Sequence, residues 1–128
     1  MTRSGIGFDA HQLKKDLDLY IGGIKIDSDL GSLGHSDGDA LIHALADSLL
    51  GAAGMGDIGQ YFPSEEAEWE NAKSEIFLIE VKKILINNGF KISNIDCTVI
   101  LQKPKITTYI KSIRNNISKI LELNENCV

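Results

Sequence analysis

The sequence is short of several things, and each shortage excludes something. Cysteine occurs twice, at Cys97 and Cys127. The two lie far apart and form no C-x-x-C pair, so they read as buried thiols of a reducing compartment, with the cytoplasm as default location. Positive charge is not in excess: 13 Lys and Arg against 18 Asp and Glu leave a net charge of −5, which argues against a basic nucleic-acid-binding surface. An anionic ligand would need local lysines, backbone amides or bound cations. No apolar run approaches the length of a membrane span, and the N-terminus lacks the charged-then-apolar pattern of a signal peptide. Histidine is scarce, confined to His11, His35 and His43.

What remains is the composition of an ordinary folded domain: 128 residues, 43% hydrophobic and 24% charged, enough for one core without staples. The opening "TRSGIGFDAH" reads as a strand ending at His11, and "LYIGGIKI" (19–26) as a hairpin turning at Gly22-Gly23. From Asp37 to Leu50 the pattern is helical, with Leu41, Ile42, Leu45, Leu49 and Leu50 as its apolar stripe. Ser36 followed by Asp39 resembles a capping box at its start. The glycine-rich and then acidic stretch 51–70 reads as a long loop. Ser74 to Asn88 is a second helix closed by Gly89. "ISNIDCTVILQ" (92–102) alternates Ile95, Cys97, Val99 and Leu101 against polar neighbours, as a half-buried strand does. Pro104 opens a third helix, striped by Ile106, Ile110, Ile113, Ile117, Ile120 and Leu121. This strand–helix order calls for a further parallel strand, which would begin near "NENCV".

Chemistry concentrates around the histidines. Residues i and i+2 of a strand share a face, so Asp9 and His11 can aim at one point. His43 sits on the helix face away from the leucine stripe, one turn from Asp39 and Asp47. One carboxylate and two imidazoles suit a Zn²⁺ ion with one open position, and Asp39 or Asp47 is placed to hold the other ring nitrogen of His43. The alternative is that Asp9 and His11 face solvent and His43 is a surface histidine. His35 and Ser36 stand at a helix start, where free N–H groups attract anions; a plain cap and a turn residue are the alternative. "GMGDIG" (54–59) has the spacing of a dinucleotide fingerprint but follows a helix and leads into Phe62-Pro63, the wrong context. It reads as backbone that approaches a ligand, with Asp57 free to bond a hydroxyl. "EEAEWE" (65–70) reads as a solvated loop. "QKPKIT" (102–107) offers an anion site at Lys103 and Lys105, or simply two solvated lysines.

Together, "GFDAH", "GHSDGDALIHALADSLLGAAGMGDIGQYFP" and "TVILQKPKI" stand in the order and spacing of the 2-C-methyl-D-erythritol 2,4-cyclodiphosphate synthases. The sequence resembles that family over essentially its whole length. The resemblance implies an α+β single domain over residues 1–128, with a mixed β-sheet and three main helices packed on one face. It further implies a homotrimer with active sites at the subunit interfaces. The reaction implied is that of a metal-dependent phosphorus–oxygen lyase of the non-mevalonate isoprenoid pathway. It would cyclise 4-diphosphocytidyl-2-C-methyl-D-erythritol 2-phosphate with release of CMP. Asp9, His11 and His43 would bind one zinc ion per subunit, and a second divalent cation, Mg²⁺ or Mn²⁺, would sit on the substrate diphosphate.

Carried over in the same way, His35 would stabilise the transition state, and His35 and Ser36 would contact phosphate. Asp9, Ala10 and His11 would border the substrate. Asp57, Ile58 and Gly59 would hold the methylerythritol part, and Phe62, Pro63, Ser64, Glu65 and Glu66 would close over it. Leu101, Gln102, Lys103, Pro104, Lys105, Ile106 and Thr107 would line the cytidine pocket from a neighbouring subunit. Two departures stand out: Ser64 replaces an acidic residue found in some members, and the family continues past the position of Val128 with a strand and a Thr-Thr-Glu-Lys stretch. Two other readings remain open at this point: a zinc phosphohydrolase using the same ligands on water, and an inactive nucleotide-binding fragment.

Overall fold

The computed structural model describes residues 1–34, 36–63, 65–70 and 72–128. Among these, four short strands, β1 (Gln12–Lys15), β2 (Leu19–Ile21), β3 (Ile24–Ile26) and β4 (Leu30–Leu33), form two antiparallel pairs. β1 pairs with β4, and β2 with β3. The β2–β3 turn falls at Gly22 and Gly23, with φ of 60° and 79°. A two-residue hairpin of this kind requires positive φ at both positions, which glycine adopts without a Cβ penalty.

Among the described residues five α-helices follow: α1 (Ala40–Ala53), α2 (Ile58–Tyr61), α3 (Ala67–Glu70), α4 (Ser74–Asn87) and α5 (Ile110–Leu121). α1 starts where the Asp39 side chain accepts the backbone N–H of Ile42, at 3.1 Å, and stops at Gly54 in the left-handed region. The cap is therefore Asp39; Ser36 instead donates its hydroxyl to the Ala72 carbonyl. α4 packs between α1 and α5. Ile42, Leu45 and Leu50 of α1 meet Leu78, Val81 and Leu85 of α4, and Ile113, Ile117 and Leu121 of α5. Leu19, Ile21 and Ile26 of the hairpin complete this core.

Five expectations change. The segments 2–11 and 92–102 carry no ladder among the described residues, so the mixed sheet is replaced by the two antiparallel pairs. A strand needs a partner to satisfy its backbone, and local alternation cannot provide one. The third helix begins at Thr107–Tyr109 as a 3-10 turn rather than at Pro104, and a 3-10 turn at Glu125–Cys127 stands where a parallel strand is expected. Cys97 is exposed and Cys127 half-buried, so neither is a core thiol. The stretch 51–70 is not a bare loop, since the end of α1, α2 and α3 lie within it.

The N-terminal segment nevertheless keeps the alternation of a strand. Gly5 and Gly7 lie on the α1 backbone, so closely that a Cβ on Gly7 would run into the Ala44 carbonyl and one on Gly5 into the Ser48 carbonyl. Ile6 and Phe8 face away and are 92% and 83% exposed. Arg3 anchors the segment by donating to the Ala53 carbonyl at 3.2 Å. Asp9 and His11 continue the glycine side of the alternation, which carries them to α1.

Candidate metal centre

The glycine contacts bring Asp9 and His11 beside His43 on α1. Asp9 Oδ2 lies 2.8 Å from His11 Nε2 and 3.3 Å from His43 Nδ1. One donor atom from each of the three falls within 4.8 Å of the others. The two rings meet edge to face with centroids 5.5 Å apart. Asp9 Oδ2 and His11 Nε2 are buried yet engage in no properly aligned hydrogen bond among the described residues. Buried polar atoms in that state are costly. Three electron-pair donors converging without satisfying one another suit a cation, and the Asp-His-His set fits Zn²⁺ with a position left open. Asp9, His11 and His43 thus converge on one point.

His43 is 8% exposed and lies on the buried face of α1 with Ala46 and Leu50, rather than on a face turned away from the apolar residues. The Phe77 ring stands 6.1 Å from it. Burial pushes the His43 pKa below its ordinary value, opposed by the nearby Asp9 carboxylate. A neutral imidazole is the form that binds a metal.

The partner of the other His43 nitrogen is neither Asp39 nor Asp47. Nε2 lies 2.8 Å from Ser74 Oγ at the start of α4. Asp39 is fully buried and holds the hairpin turn to α1, accepting the backbone N–H groups of Gly22 at 3.0 Å and Gly23 at 2.6 Å besides that of Ile42. Asp47 accepts the N–H of Ile58 at 2.9 Å and so fixes the start of α2. Helical spacing correctly places both carboxylates a turn from His43, but hairpin and loop amides claim them.

His35 and Ser64 lie outside the described residues. Ser36 adopts φ 62°. Ala10 donates its N–H to Asp9 Oδ1 at 3.0 Å. Asp57 caps α2 by accepting from Gln60 N at 3.1 Å, with Ile58 and Gly59 on that helix. Phe62 stacks on Phe77 at 4.9 Å and meets Trp69 edge-on at 5.0 Å. This aromatic cluster links Phe62, and with it Pro63, to the residue that touches His43. Glu65 and Glu66 are exposed, Glu66 accepting from the Trp69 indole at 3.2 Å. Residues 101–107 share no side-chain hydrogen bond or ion pair with the metal cluster among the described residues. Pro104 and Ile106 are half-buried, and Lys103 and Lys105 exposed. The site residues that sequence reasoning misses are Ser74, Asp37 and Phe77, whose roles depend on contacts across elements.

The model of the YgbB family matches residues 2–128. A 2-C-methyl-D-erythritol 2,4-cyclodiphosphate synthase of Clostridium botulinum (strain Kyoto / Type A2) is 48% identical over 124 residues, 97% of this chain and 80% of the relative. One from Clostridioides difficile (strain 630) is 50% identical over 119 residues, 93% of this chain and 74% of the relative. A solved cyclodiphosphate synthase in its CDP-bound form superimposes with a TM-score of 0.93 at 38% identity, covering 98% of this chain and 83% of the other. The Plasmodium falciparum IspF–CDP complex gives 0.83, also at 38% identity, covering 98% and 76%. The chain therefore belongs to the YgbB family, alongside the cyclodiphosphate synthases it matches.

Proposed function

We propose that this protein cyclises 4-diphosphocytidyl-2-C-methyl-D-erythritol 2-phosphate to 2-C-methyl-D-erythritol 2,4-cyclodiphosphate and CMP, as a metal-dependent phosphorus–oxygen lyase of the non-mevalonate isoprenoid pathway. The observation that carries it is the convergence of Asp9, His11 and His43 in a chain 48% identical to such a synthase over 97% of its length. An oxygen of the substrate's 2-phosphate attacks the β-phosphorus, the bridging P–O bond breaks, and CMP leaves with the electron pair. The nucleophile is already anionic, so no side-chain base is required. What the reaction needs is closure of the substrate on itself and relief of charge on phosphate oxygens.

Asp9, His11 and His43 would hold zinc, which would supply a Lewis acid for charge on phosphate oxygens. Mg²⁺ or Mn²⁺ on the diphosphate would reconcile a net charge of −5 with a polyanionic substrate. His35 and Ser36 contact phosphate, His35 stabilising the transition state. Ala10, with Asp9 and His11, borders the substrate. Asp57, Ile58 and Gly59 hold the methylerythritol part, and Phe62, Pro63, Ser64, Glu65 and Glu66 cover it. Leu101, Gln102, Lys103, Pro104, Lys105, Ile106 and Thr107 receive cytidine bound at the site of an adjacent subunit in a homotrimer. The exposed Ile6 and Phe8 support that assembly. Residues 1–128 act as one domain. Two free cysteines support a cytoplasmic location, and no helix among the described residues is long and apolar enough to cross a membrane.

Incubating the zinc- and magnesium-loaded protein with this substrate and following phosphorus by NMR and mass spectrometry tests the proposal. CMP and a cyclic diphosphate are expected, and His43→Ala should abolish both together with bound zinc. A linear phosphate product would assign a hydrolase instead, and saturable CMP binding without turnover an inactive nucleotide-binding chain.

A further inference from the structure

His43 reaches the metal position through Nδ1, so its other ring nitrogen decides where the proton sits. That nitrogen, Nε2, is 2.8 Å from Ser74 Oγ, and Ser74 is completely buried. A serine hydroxyl has a single proton. Here that proton is directed at Asp37 Oδ1, while Asp37 Oδ2 accepts the backbone N–H of Ser74 at 3.0 Å. An ionised carboxylate only accepts, so the hydroxyl proton is committed to Asp37. Towards His43 the serine oxygen can then only accept, and the imidazole must donate from Nε2. Nδ1 is left as a lone pair 3.3 Å from Asp9 Oδ2. Two acceptors facing each other at that distance repel unless a cation lies between them.

We propose that Asp37 and Ser74 are positioning residues that lock His43 in its Nε2–H tautomer and so keep Nδ1 available as a metal ligand. Asp37 also holds the first amide of α4, which has no intrahelical partner, so the same carboxylate fixes the helix start and, through Ser74, the ring. Lys73, the residue before α4, makes no side-chain cap, which leaves that work to Asp37. The inference rests on the Asp9–His11–His43 metal reading, but the tautomer is a property of the metal-free chain and can be measured without the ion.

Long-range ¹H–¹⁵N spectra of the histidine rings in the metal-free protein, at a pH where the imidazole is neutral, give the first readout. Chelator competition for zinc gives the second. The wild-type chain is expected to show His43 as the Nε2–H tautomer. Ser74→Ala should mix the tautomers and weaken zinc binding about 10- to 100-fold, while Ser74→Thr, which keeps the hydroxyl, should restore both. Asp37→Ala at the half-buried carboxylate frees the serine proton and should mix the tautomers even if Ser74→Ala does not fold. A wild-type Nδ1–H tautomer overturns the proposal. So does either alanine variant with unchanged tautomer and zinc affinity. A wild-type Nε2–H tautomer in a chain that binds no zinc would instead refute the metal reading and leave the positioning role standing.

Discussion

At the scale of single residues, Asp39 shows how a buried carboxylate couples pH to the architecture around the site. Burial raises its pKa from the ordinary 3.8 to about 6, against the lowering effect of the Gly23, Ile42 and Gly22 amides. Between these values the folded chain keeps a proton that the unfolded chain has released. This contribution to stability therefore falls as pH rises from about 4 to about 6 and is flat above that. A shift of this size corresponds to about 3 kcal/mol. Denaturant titrations of wild type and Asp39→Asn should show a stability difference that shrinks by that order across the window. A difference independent of pH would rule out a raised Asp39 pKa. A helix start in this region is legible in the sequence, since capping is local, but the sequence reads Ser36 as the cap where the structure has Asp39. The grip of Asp39 on the hairpin is not legible, because Gly22 and Gly23 lie 17 and 16 residues away. Ser74 is harder still: its partners His43 and Asp37 stand 31 and 37 residues upstream, and nothing in local periodicity marks them.

At the scale of elements, what the sequence discloses follows from how each element satisfies its backbone. α4 and α5 are readable because a helix closes its own hydrogen bonds and its apolar stripe repeats every turn. The glycine hairpin is readable because positive φ is a property of the residue itself. The segments 2–11 and 92–102 alternate as strands do, yet strand pairing depends on a distant partner. The first of them still delivers Asp9 and His11, because Gly5 and Gly7 let it lie on α1. Gly7→Ala should force it off the Ala44 carbonyl. A stability loss of about 1–3 kcal/mol, the range for overpacked sites, is expected in denaturant melts. Zinc affinity should fall as well, since the same shift moves Asp9. Unchanged zinc affinity in a destabilised variant would separate the packing role from the delivery of ligands.

At the scale of the whole molecule, the chain pairs a well-packed α1–α4–α5 core with an apolar outer face at Ile6 and Phe8, and Ile100 is likewise 93% exposed. Isolated apolar residues are common on surfaces, but large side chains presented this fully on one segment suit an interface. Light scattering coupled to size exclusion should give about three times the chain mass of 14.0 kDa, and Phe8→Lys should reduce it to one. A monomeric wild type with full turnover would rule out a cytidine pocket shared between subunits.

The packing of Phe62, Trp69 and Phe77 beside His43 has a practical consequence. Trp69 is the chain's single tryptophan, in edge contact with Phe77 at 5.9 Å. The protein thus carries one tryptophan fluorophore, excitable apart from its three tyrosines and joined through Phe77 to the imidazole that faces the proposed zinc position. Its emission reports, label-free, on how the 62–69 stretch rests against α4.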